Sequence, residues 1–228
     1  LYAIIFSIMG ARAYYVIFDW ANYKDDLLQI FNLRAGGLAI YGGVIAAALT
    51  LIVFTKKRKL SFFSMADSGV LGLITGQMIG RWGNFFNCEA FGGYTNNLFA
   101  MRIRKSLVNP AMISRQLVDN EIVENGIAYI QVHPTFLYES LWNLGVLMFM
   151  LWYRKRKKFE GEMLWVYFFG YGLGRVWIEG LRTDQLRIPG TEFAVSQLLS
   201  AVLVGVSAAV LVYRHRHPKK GDKVEESA

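Results

Sequence analysis

Gly80-Arg81-Trp82-Gly83-Asn84-Phe85-Phe86-Asn87-Cys88-Glu89-Ala90-Phe91-Gly92-Gly93 closes the long apolar run that starts at Met65. It puts an arginine, asparagines and a glutamate where a hydrocarbon interior favours leucine. A charged side chain near the centre of a bilayer costs about 2.5–3.5 kcal/mol on insertion scales, so Arg81 needs partners. Arg81 shares a helix face with Asn84, three positions on, and with Gln77, four positions back. Gly80, Gly83, Gly92 and Gly93 let another group approach the backbone closely. The stretch therefore reads as a seat for an anionic head group at the lipid–water boundary. A salt-bridge and amide network that only pins the helix is the competing reading.

Working outward, the whole chain is apolar in the same manner. Its 228 residues are 54% hydrophobic and 15% aromatic with only 18% charged, which excludes an ordinary soluble domain. The runs at 1–18, 36–55, 65–87, 136–153, 162–181 and 193–213 reach or approach the roughly 18–20 residues that a spanning helix needs. Basic clusters follow every second run: Lys56, Lys57, Arg58 and Lys59; then Arg154, Lys155, Arg156, Lys157 and Lys158; then Arg214, Arg216, Lys219 and Lys220. By the positive-inside rule these clusters are cytoplasmic, and 88–133 faces outward. The predicted fold class is an all-α polytopic membrane protein: a bundle of six spans forming one domain over 1–213, with a small β-containing extracytoplasmic head at 88–133. A basic, polar cytoplasmic tail occupies 214–228, its last part, 221–228, disordered.

The net charge of +8 raises nucleic acid as a partner, but the basic residues abut apolar runs, so no nucleic acid is expected. Cys88 is the single cysteine, which excludes an internal disulfide. No HExxH, Walker-type or GxSxG pattern occurs, so no metal or cofactor is expected. The chain opens at Leu1 inside an apolar segment, which reads as a fragment without its natural amino terminus and not as a signal peptide.

In the head, the alternation over 99–104 predicts a strand, and Asn125-Gly126 between two β-type runs predicts a hairpin. The segment 19–34 carries Trp20 and Tyr23 as interfacial anchors, and Leu27, Leu28, Ile30, Phe31 and Leu33 predict a short helix on the membrane surface.

Further candidates lie on the other runs. Tyr171, Arg175 and Glu179 recur every fourth residue on one helix face, with Arg182 and Asp184 at its outer end. An intrahelical ion pair explains them as well as a site does. Gly170 and Gly174 predict tight packing of a second helix. Tyr41 sits within the glycines of 36–43 near the outer boundary. His133 and Pro134 lead into a span whose Glu139 needs a partner, with an arginine the obvious candidate. Arg12 reads as a structural partner or an interfacial snorkeller. Two arginines on separate helices, both toward the outer half, suit bidentate phosphate binding. From the residues alone the chain holds an anionic head group, which fits lipid chemistry, a transporter or channel for an anionic solute or lipid, or a non-catalytic lipid-binding or assembly subunit.

The run 80–92, together with 37–43, 133–139, 171–184 and Ser196-Gln197, resembles bacterial prolipoprotein diacylglyceryl transferase. The resemblance implies transfer of the diacylglyceryl group of phosphatidylglycerol to the lipobox cysteine in the signal peptide of a preprolipoprotein. A thioether forms and glycerol phosphate leaves. It also implies a seven-helix protein of the bacterial inner membrane, with its active site extracytoplasmic and its carboxyl terminus cytoplasmic. Carried over by position, Arg81, Asn84, Gly92, Tyr171 and His133 would bind substrate, and Tyr41, Glu89, Arg175 and Glu179 would be catalytic. Many members have histidine where this chain has Tyr41. Tyrosine side chains, with a reference pKa of about 10, suit a hydrogen-bond donor or relay better than a strong base. The thiol proton would go to Glu89, Glu179 or Tyr41, and Cys88 would be a bystander.

Overall fold

The computed structural model describes residues 1–33, 36–183, 185 and 194–218. Arg34, Asp184, Phe193, Lys219, Lys220 and the tail 221–228 lie outside the described residues. The structure has two compact units, Leu1–Ala66 and Asp67–Ala228.

The first unit pairs helices α1 (Tyr2–Phe18) and α2 (Ile40–Arg58). They pack backbone to backbone, because a Cβ on Gly42 would meet the Gly10 carbonyl and Tyr14. Ser7 Oγ donates to Gly43 O at 3.0 Å across the same seam. Arg12 is 5% exposed and organises the connection. Its guanidinium donates to five backbone oxygens: Ile30 at 2.8 Å, Gln29 at 2.5 Å, Asn32 at 3.3 Å, Gly36 at 2.8 Å and Gly37 at 2.9 Å. The Tyr23 ring lies 5.0 Å below it. Arg12 is thus a structural partner, and the loop closes through Gly36 and Gly37, whose φ of 84° and 77° suits glycine. The surface helix expected over Leu27–Leu33 is a 3₁₀ turn, Leu27–Phe31. Its start is fixed by Asp26, which accepts from Leu28 N, and a single such turn follows the tighter hydrogen-bonding of a short segment.

The second unit holds α3 (Phe62–Phe86), α5 (Thr135–Tyr153), α6 (Glu162–Glu179) and α7 (Val195–Arg216). Val70, Ile74, Met150, Met163, Val166 and Tyr167 form the core between α3, α5 and α6. The small-residue seam of α6 behaves as its spacing predicts. Gly170 lies against Val146, Gly174 against the Trp142 ring, and Trp142 Nε1 donates to Gly170 O at 2.8 Å. Two buried carboxylates tie the far ends of these helices. Asp67 accepts from Gly161 N and Leu164 N, each at 3.0 Å, capping the N-terminus of α6 from α3. Glu162 accepts from Tyr153 Oη at 2.5 Å and lies 3.2 Å from His215 Nε2, joining α5, α6 and α7.

Between α3 and α5 lies the small head. Strands β1 (Met101–Arg104), β2 (Ile122–Glu124) and β3 (Ile127–Val132) form an antiparallel sheet in the order β1–β3–β2. Glu124 pairs with Ile127 across Asn125-Gly126, whose φ values of 53° and 76° define the tight left-handed turn that the pair predicts. A short helix α4 (Arg115–Asp119) supplies Leu117 to a core with Phe91, Ile103, Val108, Ile130 and Val132.

Two of the described helices, Ile40–Arg58 and Val195–Arg216, are long and apolar enough to cross a membrane, and Tyr2–Phe18 is a shorter apolar helix. Helices α3, α5 and α6 carry the arginines, glutamates and amides of the site, which lowers their hydropathy.

Candidate active site

Glu139, one turn into α5, is 3% exposed and lies between two arginines from different helices. Arg81 of α3 reaches it through Nε at 2.6 Å, and Arg175 of α6 through Nη1 at 2.6 Å. The partner expected for Glu139 is thus both arginines at once. Arg175 also pairs with Glu179, one turn further along its own helix. Glu179 in turn accepts from Ser196 Oγ at 2.8 Å and lies 3.6 Å from Arg182 Nη1. The ion pairs run in a chain, Arg81–Glu139–Arg175–Glu179–Arg182, that links α3, α5 and α6.

The remaining candidates branch from this chain. Arg81 Nη1 donates to Asn84 Oδ1 at 3.3 Å, and Asn84 Nδ2 to Glu89 Oε1 at 3.1 Å. Asn87 Nδ2 reaches the same oxygen at 3.1 Å. The backbone turns sharply after α3 so that Glu89 can fold back: Cys88 and Ala90 have φ of 53° and 54°. These are left-handed conformations that cost non-glycine residues about 1–2 kcal/mol each. Cys88 itself packs against the head core.

Gly92 and His133 meet where the head joins the helices. Gly92 N donates to His133 O at 3.0 Å, and Gly93 N to Leu181 O at 2.9 Å. A Cβ on Gly92 would stand 2.7 Å from His133 Cβ and 2.8 Å from Leu181 O, so the crossing demands glycine. This hydrogen-bonded crossing holds the loops that lead from α3 and into α5 beside the end of α6. His133 Nδ1 lies 3.4 Å from Tyr138 Oη, and burial lowers its pKa below the ordinary 6.5. Tyr171 stacks on Tyr167 at 5.6 Å, and Tyr167 Oη exchanges hydrogen bonds with Gln77 at 2.9 and 3.1 Å. The helix face of Gln77, Arg81 and Asn84 is therefore engaged along its length.

Arg81, Asn84, Glu89, Gly92, His133, Tyr171, Arg175 and Glu179 all belong to the second unit. Tyr41 belongs to the first, in the opening turn of α2, and is 63% exposed. Two further residues bear on the site: Ser196, which belongs to the runs that carry the resemblance, and Asn143, which no motif marks. Ser196 anchors Glu179. Asn143, one turn beyond Glu139, is 2% exposed, and its Nδ2 has no hydrogen-bond partner among the described residues.

Fold and site together define a class: a helical protein of membrane type in which two arginines from different helices meet on one buried carboxylate, beside a small sheet. The chain belongs to the prolipoprotein diacylglyceryl transferase family, whose pattern matches residues 1–213. It is 39% identical over 224 residues to the phosphatidylglycerol–prolipoprotein diacylglyceryl transferase of Clostridioides difficile (strain 630), covering 98% of this chain and 79% of that one. The enzyme of the same name from Listeria welshimeri is 42% identical over 214 residues, covering 94% of this chain and 72% of that one. That of Shouchella clausii (strain KSM-K16) is 43% identical over 215 residues, with 94% and 73% covered.

Proposed function

We propose that the chain transfers the diacylglyceryl group of phosphatidylglycerol to the cysteine thiol of a prolipoprotein, and that Arg81 and Arg175 grip the lipid phosphate during the transfer. Family membership displaces the transporter and lipid-binding-subunit readings. In the reaction the cysteine sulfur bonds to the terminal glycerol carbon of the diacylglyceryl group. The bond from that carbon to the phosphate oxygen breaks, and its electron pair leaves with glycerol phosphate. The thiol proton passes to a base, for which Glu89, Glu179 and Tyr41 are the candidates. A free thiol with pKa about 8.5 is mostly protonated at neutral pH, so a nearby cationic site favours the reactive thiolate.

One observation carries the assignment of roles: two arginines from α3 and α6 converge on the single carboxylate of Glu139. Both oxygens of Glu139 are engaged, which makes it an orienting group. Arg175 gives one nitrogen to Glu139 and another to Glu179, and is held as a fixed charge. Arg81 is the more exposed of the two, its side chain at 20% against 13%, which favours it as the first contact of an incoming phosphate. Preorganised charge of this kind is usually the largest catalytic contribution.

The setting follows from the same reading. Residues 1–213 form a transmembrane domain of six spans in the bacterial inner membrane, with the site and the 88–133 head outside and 214–228 in the cytoplasm. Apolar side chains on the exposed faces support it: Val44, Ile45 and Leu49 on α2, and Leu198, Val202 and Val206 on α7, are each more than 45% exposed. The basic residues Lys56, Lys57 and Arg58 at the end of α2, and Arg214, His215 and Arg216 at the end of α7, support the orientation. The signal peptide of the prolipoprotein brings its cysteine to the same level from within the bilayer.

The test is the mass shift of a lipobox peptide incubated with the protein in phosphatidylglycerol vesicles. Arg81→Ala abolishes the shift while the protein still inserts and folds. Normal thioether formation by that variant would refute the role of Arg81.

A further inference from the structure

Asn143 is an anomaly for a purely structural residue. Its side chain is enclosed at 2% exposure, yet its amide Nδ2 donates to nothing among the described residues. An unsatisfied buried donor lowers stability, and leucine, of the same shape, would avoid the cost. Buried polar groups elsewhere in the second unit are well served. Ser140 links Trp82 to the Met78 carbonyl, Gln77 pairs with Tyr167, and Asp67 takes two backbone donors. Of the buried side-chain atoms without a hydrogen-bond partner among the described residues, that of Asn143 is the one on a neutral group, and its place in the fold suggests its use. It is four residues after Glu139 on α5, so the two side chains lie on one helix face. The rise of an α-helix puts it about 6 Å further along the axis, away from the head.

We propose that Asn143 is the donor for an ester carbonyl of the diacylglyceryl group, a second subsite below the phosphate. The proposal rests on the transfer reading given above. A glycerophospholipid whose phosphate is held at the level of Glu139 by Arg81 and Arg175 places its ester carbonyls deeper in the bilayer by the length of the glycerol backbone. That offset matches the step from Glu139 to Asn143. The phosphate fixes one end of the reacting glycerol unit and the carbonyl the other, so the terminal carbon presents its phosphate-bearing side consistently to the thiol. Two-point holding converts binding into orientation, which is where displacement at carbon gains most.

The experiment compares diester phosphatidylglycerol with its diether analogue, which keeps the head group and chain length but lacks both carbonyls. Each lipid is presented in vesicles to the full chain with a lipobox peptide, and kcat/KM is read from the mass-shifted product. For the wild type the diester is preferred by about fivefold to tenfold, the worth of one neutral hydrogen bond. For Asn143→Leu the diester/diether ratio falls to near one, and the thermal midpoint is equal to or above that of the wild type. A wild-type ratio already near one, or an unchanged ratio in Asn143→Leu, would overturn the subsite. A lower midpoint with an unchanged ratio would also overturn it, showing a structural amide. Absence of transfer from either lipid by the wild type would sink the transfer reading itself, and the subsite with it.

Discussion

Replacing Glu139 by glutamine keeps the side-chain length and removes the charge that two arginines share. Glu139 is 3% exposed and lies 2.6 Å from Arg81 Nε and 2.6 Å from Arg175 Nη1. The amide of glutamine turns one of those contacts into a donor facing a donor. Breaking a buried ion pair by removing one partner costs about 3–5 kcal/mol, because the other charge is left uncompensated. The lower end applies here, for Arg175 keeps Glu179 and the Arg81 side chain is 20% exposed. For a chain of this length each kcal/mol moves the thermal midpoint by about 2–4 °C, so about 3 kcal/mol corresponds to a fall of about 6–12 °C. Transfer suffers more than stability does. Freed from their common anchor, the guanidiniums shift, and a displacement of about 1 Å at a reacting centre costs about 10²-fold in rate. Thermal unfolding in detergent and the lipobox-peptide mass shift read the two effects on one preparation. A Glu139→Gln protein with both a wild-type midpoint and a wild-type rate would refute the orienting role.

Two further outcomes follow from other parts of the chain. Arg12→Lys leaves one ammonium for the five carbonyls that the guanidinium now serves, so the loop from Gln29 to Gly37 loosens; limited proteolysis should cut within 19–39 at least about tenfold faster than in the wild type, given about 1.5–3 kcal/mol per hydrogen bond to a charged group, and an unchanged rate would count against the staple. His133, whose pKa burial lowers, binds its proton more readily in the unfolded chain than in the folded one. Stability due to His133 is therefore intact above the unfolded pKa of about 6.5 and falls as pH drops below it; the thermal midpoint of His133→Asn should decline less than that of the wild type over this range, and parallel declines would contradict the burial effect.

Much of the fold is legible in the sequence because local chemistry dictates it. Asn125-Gly126 forces the β2–β3 turn, since both residues must take positive φ and these two tolerate it best. Pro134 marks the start of α5, and the Gly170 and Gly174 spacing marks the α5–α6 seam. The surface turn Leu27–Phe31 is shorter than its apolar pattern suggests, because its geometry is set by carbonyls that point at Arg12. Within the site, the i, i+4 pair of Arg175 and Glu179 is visible along one helix. The double engagement of Glu139 is not, because Arg81 is 58 positions away in sequence and nothing local encodes the meeting. The role of Asp67 is hidden for the same reason, since it caps a helix whose first residues lie beyond position 160. Asn143 carries no charge and no motif, and only its missing partner reveals it.

The most direct measurement is an experimental structure of the protein in a bilayer with phosphatidylglycerol bound. The expected result is a lipid phosphate oxygen within about 3 Å of the Arg81 guanidinium, with Arg175 behind it and Glu139 still between them. A phosphate bound elsewhere, with Arg81 contacting only Glu139 and Asn84, would contradict the central role given to this arginine.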